Sequence, residues 1–257
     1  MTMSPTPAAL AERYRHSISE LIDRVCAEEQ DALAEAAQLV ADQISEDRLV
    51  HIHGPGGHSN LAAQEVFFRA GGLMHISALL DEGTLLSSGA LRSMAIERTP
   101  GYGKIVIEDH RLGEGDLLIL VNAYGINTAL IDAALTAKER GCTVIGVSSR
   151  EHAESTVPRH PARHPSGRNL HDVVDLHLDT KVPVGDAVVA LDGVAERTGA
   201  VSTFANAFTL HWLMMCAIAV LAERGIDPPI WRSGNAPGGD EANAEPLARF
   251  AGRVRSL

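Results

Sequence analysis

Between Leu49 and Gly72 the chain reads LVHIHGPGGHSNLAAQEVFFRAGG. A short apolar strand, Leu49–His53, runs into a turn holding Gly54, Gly56 and Gly57, and a helix begins near Ser59. Glycine admits positive φ and a backbone approach that a Cβ would block. Ser59 or Asn60 can cap the helix. The first amides of such a helix have no internal partners and lie at the positive end of its dipole. A turn of this kind is suited to an anion, at about 0.3–1 kcal/mol when exposed and up to about 2 kcal/mol when partly buried. The candidate contacts are the backbone of Gly56, Gly57 and His58 and the hydroxyl of Ser59. The plainer role is an N-cap serine beside glycines that permit tight packing. Further along the same stretch stands Glu65, a carboxylate able to take up and return a proton. Apolar neighbours such as Val66 and Phe67 would raise its pKa. Arg69, four residues on, offers instead a surface ion pair of about 0.3–0.5 kcal/mol that requires no function.

Histidines invite a metal reading, and their spacing argues against it. His152, His160, His164, His171 and His177, with His51 and His53, match no standard zinc pattern, and His51 and His53 alternate along a strand. No metal and no cofactor are expected. Cys26, Cys142 and Cys216 are far apart and form no CxxC pair, which suits core thiols in a reducing cytoplasm. The start, MTMSPTPAALAERYR, lacks a cationic segment followed by an apolar run. A formal net charge of −11 with no dense Lys/Arg run excludes nucleic acid and anionic membrane as main partners. Phe204–Ala222 is long and apolar enough to span a membrane, yet it carries Asn206, Thr209 and His211, and a buried helix is expected.

These residues need a scaffold, and the pattern supplies one. Residues 6–45 read as one or two helices with stripes Ile18, Leu21, Ile22, Val25 and Leu33, Ala36, Ala37, Val40, Ile44. They either cap the core or form a dimerisation arm. Strands follow at Leu49–His53, Leu73–Leu80, Asp116–Val121, Thr143–Val147 and Val173–Leu178. Between them lie the helix at Ser59, a short helix near Ser88–Arg98 stopped by Pro100-Gly101, a charged loop, and a helix over Thr128–Arg140 ended by Gly141. Residues 150–171 read as a His-, Pro- and Arg-rich loop, Ser202–Gly225 as a long helix, and PPIWRSGNAPGGDEANAE as a loop before a last helix. Apolar strands alternating with helices imply a parallel sheet covered on both faces, with the loops after the strands gathered at its carboxyl edge.

Two segments now carry a likeness. GPGGHSNLAAQEVFFRAGG and LLILVNAYGINTALIDAALTAKERGCTVIGVSS resemble the two signatures of the sugar isomerase (SIS) domain, the second through its polar turn, its Ala-Lys-x-x-Gly helix and its strand ending in serine. RHPSGRNLHDVVD, PVGDAVVALDG and SGNAPGGDEAN resemble a bacterial subgroup of that family related to phosphoheptose isomerase. The resemblance implies a three-layer α/β/α sandwich with a five-stranded parallel sheet over residues 46–257, preceded by a helical extension over 1–45. It implies an anionic sugar ligand and dimers or tetramers with sites near subunit interfaces. It also implies that the glycine turn binds the anion. In the second turn, where the family usually carries serines, this chain has Asn122, Tyr124 and Asn127, so a sulfonate, or a sugar with no anion, joins the phosphosugar among the possible ligands. Ser148 and Ser149 end the fourth strand where hydroxyl contacts are made; His164, Ser166 and Arg168 could close over a sugar, and Asn235 could reach a site.

By the same resemblance Glu65 is the base of an aldose–ketose isomerase working through an enediol, although phosphoheptose isomerases carry their glutamate about one turn later, where Arg69 stands. His211 occupies a position from which a histidine assists, or it is a core histidine bonded to a carbonyl. A non-catalytic sugar-phosphate sensor would use the same turn and need no base. A nicotinamide-dependent oxidoreductase is a third reading, on Gly54-x-Gly56-x-x-Ser59 and Asp81, but the third glycine is missing.

Overall fold

The strands alternate their side chains between two apolar layers. In the computed structural model, which describes residues 5–257, Leu117, Ile119 and Val121 join one buried cluster, while Leu118 and Leu120 join another on the opposite face. A two-residue period places consecutive side chains on opposite sides of a sheet, so an unbroken apolar run requires a layer on each.

The chain opens with α1 (Pro7–Glu28) and α2 (Gln30–Ser45). The core then runs β1 (Val50–His53), α3 (Ser59–Val66), β2 (Ile76–Ala78), α4 (Ala90–Glu97), α5 (Tyr102–Asp109), β3 (Leu117–Val121), α6 (Thr128–Glu139), β4 (Thr143–Ser148), α7 (Arg150–Ser155) and β5 (Leu176–Asp179). A small antiparallel pair, β6 (Ala187–Val189) and β7 (Thr198–Ala200), precedes α8 (Ser202–Glu223) and α9 (Gly239–Phe250). The main sheet has the order β2-β1-β3-β4-β5 and is parallel throughout. This is the five-stranded parallel sandwich expected from the sequence.

One layer is built from α2, α3 and α8, whose Leu33, Val40, Ala63, Val66, Leu213 and Leu221 pack on Val50, Ile52, Ile119 and Ile145. The opposite layer holds α5 and α6. Within the long helix α8, Leu210, Leu213, Met214, Ala217 and Leu221 are buried in the first layer, as a core helix requires. Full burial of each leucine or methionine among them contributes on the order of 1.5–3 kcal/mol. Leu21 of α1 packs on Val182, Val201 and Ala205, so the first helix is fastened to the segment that starts α8.

Several local expectations are corrected. The segment read as a charged loop contains α5. Its exposed Lys104 and Glu108 mask a stripe of only Gly103, Val106 and Ile107, and the helix forms because Gly103 lets it approach α6: a Cβ there would lie 1.9 Å from the Ala129 carbonyl oxygen. The second strand shrinks to three residues and the fifth starts at Leu176. The His-rich loop contains α7, the irregular section contains β6 and β7, and the last helix begins at Gly239, inside the presumed loop.

Candidate functional site

In the order β2-β1-β3, the chain leaves β1 toward one neighbour and continues from β3 toward the other side. Such a reversal opens a crevice beyond the carboxyl ends of the strands. A cavity of roughly 350 Å³ lies there, walled by the turn after β1, the turn after β3, the end of α4, and residues near the starts of α7 and α8.

The two turns are bonded to each other. Ser59, at the start of α3, is buried, and its Oγ accepts a 3.2 Å hydrogen bond from Asn122 Nδ2. Asn122 Oδ1 in turn accepts the amides of Tyr124 and Gly125, both at 2.9 Å. Asparagine is the side chain that closes such a backbone turn on itself. Asn60 Nδ2 donates to Gly56 O and to Thr84 O, at 2.9 and 3.1 Å, which secures the glycine turn from behind. Gly56 has φ +139°, a conformation that strains any other residue.

Asn127 stands at the head of α6 in extended conformation and makes no side-chain cap. Its Nδ2 donates to Glu97 Oε1 at 2.7 Å. Its Oδ1 is buried without a partner among the described residues. Buried polar atoms are seldom left unpaired in folded proteins, and the residue lines the cavity. Glu97 ends α4 and reaches over the glycine turn, with Oε2 2.5 Å from the position a Cβ on Gly56 would occupy. Burial pushes the Glu97 carboxyl up from its ordinary range, against the opposing charge of Arg98 and the bond from Asn127. Tyr124 stacks on His152 at 3.6 Å with 15° between the rings. Burial raises the Tyr124 phenol and lowers the His152 imidazole. Asp186 accepts from the amides of Val201 and Ser202 and from Ser202 Oγ, fixing the start of α8 against the cavity.

Of the residues singled out in the sequence, Gly56, Gly57, His58, Ser59, Asn122, Tyr124 and Asn127 come together here. Ser148 and Ser149 lie beneath, fully buried: Ser148 Oγ is 2.9 Å from His177 Nε2, while Ser149 Oγ donates to Val182 O and accepts the His152 amide. Their hydroxyls are consumed by the protein. His164, Ser166 and Arg168 lie outside the cavity wall and hold their own loop. His164 sits 3.1 Å from Asp132 Oδ1 and 2.7 Å from Ser166 Oγ, and Arg168 donates to Asp172 O. Asn235 lines a separate hollow with Phe68 and Trp231. Asp81, the ribose-binding candidate, is held by the Tyr102 hydroxyl and the Thr84 amide.

Glu65 and His211 meet, but elsewhere. Glu65 Oε1 is 3.2 Å from His211 Nε2, joining α3 to α8, and Arg69 bonds the same carboxylate. The pair is partly exposed and outside the cavity wall. Among the described residues no group of three His, Cys, Asp or Glu is placed to hold a metal ion.

Sequence reasoning passed over Glu97, Arg98, Asp186 and Ser202. Glu97 left one signal: an acidic residue at the negative end of a helix is electrostatically misplaced there, which marks a side chain held for another purpose.

The SIS domain family model matches residues 13–149. The chain belongs to the SIS domain family. Its relatives include the UPF0309 proteins of Halalkalibacterium halodurans, 36% identical over 244 residues and covering 95% of this chain and 96% of that one, and of Geobacillus kaustophilus, 35% identical over 248 residues and covering 96% and 97%. Among solved structures, the phosphoheptose isomerase of Francisella tularensis superposes with a TM-score of 0.55 at 15% identity, over 84% of this chain and all of that one. That of Neisseria gonorrhoeae gives 0.54 at 18% identity, over 82% and 99%. At these identities the likeness is one of fold, and the cavity of this SIS domain occupies the crevice where open α/β sheets bind ligands.

Proposed function

We propose that this SIS domain protein is an aldose–ketose isomerase of an anionic sugar. The observation that carries the reading is the convergence of two helix N-termini, α3 and α6, on one polar cavity walled by Ser59, Asn122 and Asn127. Free amides and dipole ends of this kind hold an anion without lysines. The family membership and the phosphoheptose isomerase fold support a phosphorylated sugar. A proton shift between adjacent carbons is redox-neutral overall and needs no redox cofactor.

The proton is carried by Glu65, with His211 assisting. Glu65 is six residues along α3 from Ser59, a helical rise of about 9 Å, comparable to an extended phosphosugar chain. A ligand anchored at the turn has to run along α3 to reach it. Phe204 and Met215 are exposed on α8, the helix that carries His211, which supports a second copy covering that surface and closing over the pair. The test is solvent deuterium incorporation at C1 or C2 across a panel of sugar phosphates. Native protein is expected to exchange at least one of them, and Glu65→Gln to lose about 10²–10⁴-fold in rate while ligand binding persists. Absence of exchange with every sugar would overturn the reading.

A second reading, a sugar-phosphate sensor without turnover, is favoured by one observation: the Glu65–His211 pair stands outside the cavity and is already engaged by Arg69. Ligand binding equal in native protein and Glu65→Gln, with exchange in neither, would select it.

A further inference from the structure

The anion cradle already faces a carboxylate of its own chain. Glu97 lies over Gly56, between the N-termini of α3 and α6, and its Oε1 is held by Asn127. A carboxylate only accepts hydrogen bonds. A fully ionised ligand group brought into the same cradle would set acceptor against acceptor in a poorly solvated space. One kind of anion avoids this. A phosphate monoester has its second pKa near 6, so near neutrality a proton is available to lie between a phosphate oxygen and the glutamate. The resulting bond is of the short, charge-assisted kind. A sulfonate or sulfate carries no such proton in this range.

We propose that Glu97 selects the anion: the cradle takes a phosphate monoester that shares one proton with Glu97 and refuses sulfonate and sulfate. The proposal rests on the anion-cradle reading above and narrows it. Asn127 is the positioning partner, since its amide fixes one carboxylate oxygen and leaves the other toward the ligand. Ser148 and Ser149 spend their hydroxyls inside the protein and Asn122 Oδ1 accepts two backbone amides, so discrimination by those groups is weakened here, and a carboxylate supplies it.

Glu97 is not the sole titrating group on the cavity. His58, Arg98, Tyr124, His152, His160 and Asp186 also line it. Histidine protonation would favour either anion, so discrimination between two anions at one pH isolates the glutamate.

The experiment is titration calorimetry on the full chain with a phosphate monoester, methyl phosphate, and with its sulfate analogue, methyl sulfate, across a pH series, for native protein and Glu97→Gln. Native protein is expected to bind phosphate at least about tenfold tighter than sulfate near neutral pH, a difference of about 1.4 kcal/mol. Its phosphate affinity should fall by about tenfold per pH unit above neutrality, as the shared proton becomes unavailable. In Glu97→Gln the amide offers a donor, the preference for phosphate should collapse, and the pH dependence should flatten. Sulfate binding as tightly as phosphate in native protein overturns the proposal, as does an unchanged ratio in a folded Glu97→Gln. The native ratio and its pH slope decide the matter even if the variant fails to fold. Binding of neither anion by native protein overturns the cradle reading along with it, whereas deuterium exchange on phosphosugars together with equal sulfate binding overturns this proposal alone.

Discussion

The two ends of α3 make opposite environments from the same helix. At its start, Ser59 and Asn60 are buried and bonded to neighbouring turns, and Ser59 lines a cavity that it shares with Asn122 and Asn127. At its end, Glu65 is partly exposed and shares its charge with both His211 and Arg69. The first environment is preorganised: its polar atoms are fixed and desolvated, which is the condition under which a ligand gains most from binding. The second is adaptable: water screens its charges, and Glu65 can change partners at little cost. On the proposed reading, holding a ligand and moving a proton fall to separate places on one element.

The comparison can be broken at the buried end first. Gly56→Ala places a Cβ at a φ of +139° and against the Glu97 carboxylate. Backbone strain of about 1–3 kcal/mol is expected, with loss of anion binding, measured by denaturant unfolding and by calorimetry. An alanine that binds normally would show that the turn is not a cradle. Asn122→Ala removes the acceptor of two amides and the donor to Ser59. A cost of about 1–3 kcal/mol is expected, with weakened binding and unchanged helix content by circular dichroism.

Glu97 sharpens the contrast through pH. Burial holds its carboxyl above the ordinary range, so ionisation works against folding. The folded state therefore carries no penalty below the ordinary glutamate pKa of about 4.3. It loses stability as pH rises from there through the raised folded value. Glu97→Gln should melt higher than native protein at neutral pH, and the two should converge below about pH 4.3 in a thermal scan. A lower melting temperature for the variant at neutral pH would show that the carboxylate is satisfied rather than strained. The smallest effect belongs to the exposed end. Arg69→Ala should cost no more than about 0.5 kcal/mol, and should speed deuterium exchange by releasing Glu65 to His211. A large loss of stability there would erase the distinction between the two ends.

Much of the fold was legible because it repeats local rules. Unbroken apolar strands such as Leu117–Val121 announce a sheet covered on both sides, and Gly141 marks the end of α6. That the glycine turn, Ser59, Asn122 and Asn127 would meet at the carboxyl edge of the sheet was legible because a strand, a turn and a helix start are contiguous in the chain. Helix α5 was hidden, since its apolar stripe is short and its formation depends on Gly103 meeting α6. Asn235 was grouped with the cavity residues and lies in a different hollow, because a loop outside the strand–helix rhythm has no register to place it.

By itself the chain determined which backbone segments become strands, which turns can face an anion, and that α8 is apolar enough to be enclosed, since these follow from side-chain periodicity and from residues that allow or forbid a dihedral angle. Only the tertiary structure decided that Glu97, 38 residues beyond Ser59 in the chain, reaches over Gly56, that Ser148 and Ser149 spend their hydroxyls inside the protein, and that Glu65 meets His211 from 146 positions away. Those facts depend on distances between segments that do not interact along the chain, and packing alone sets them.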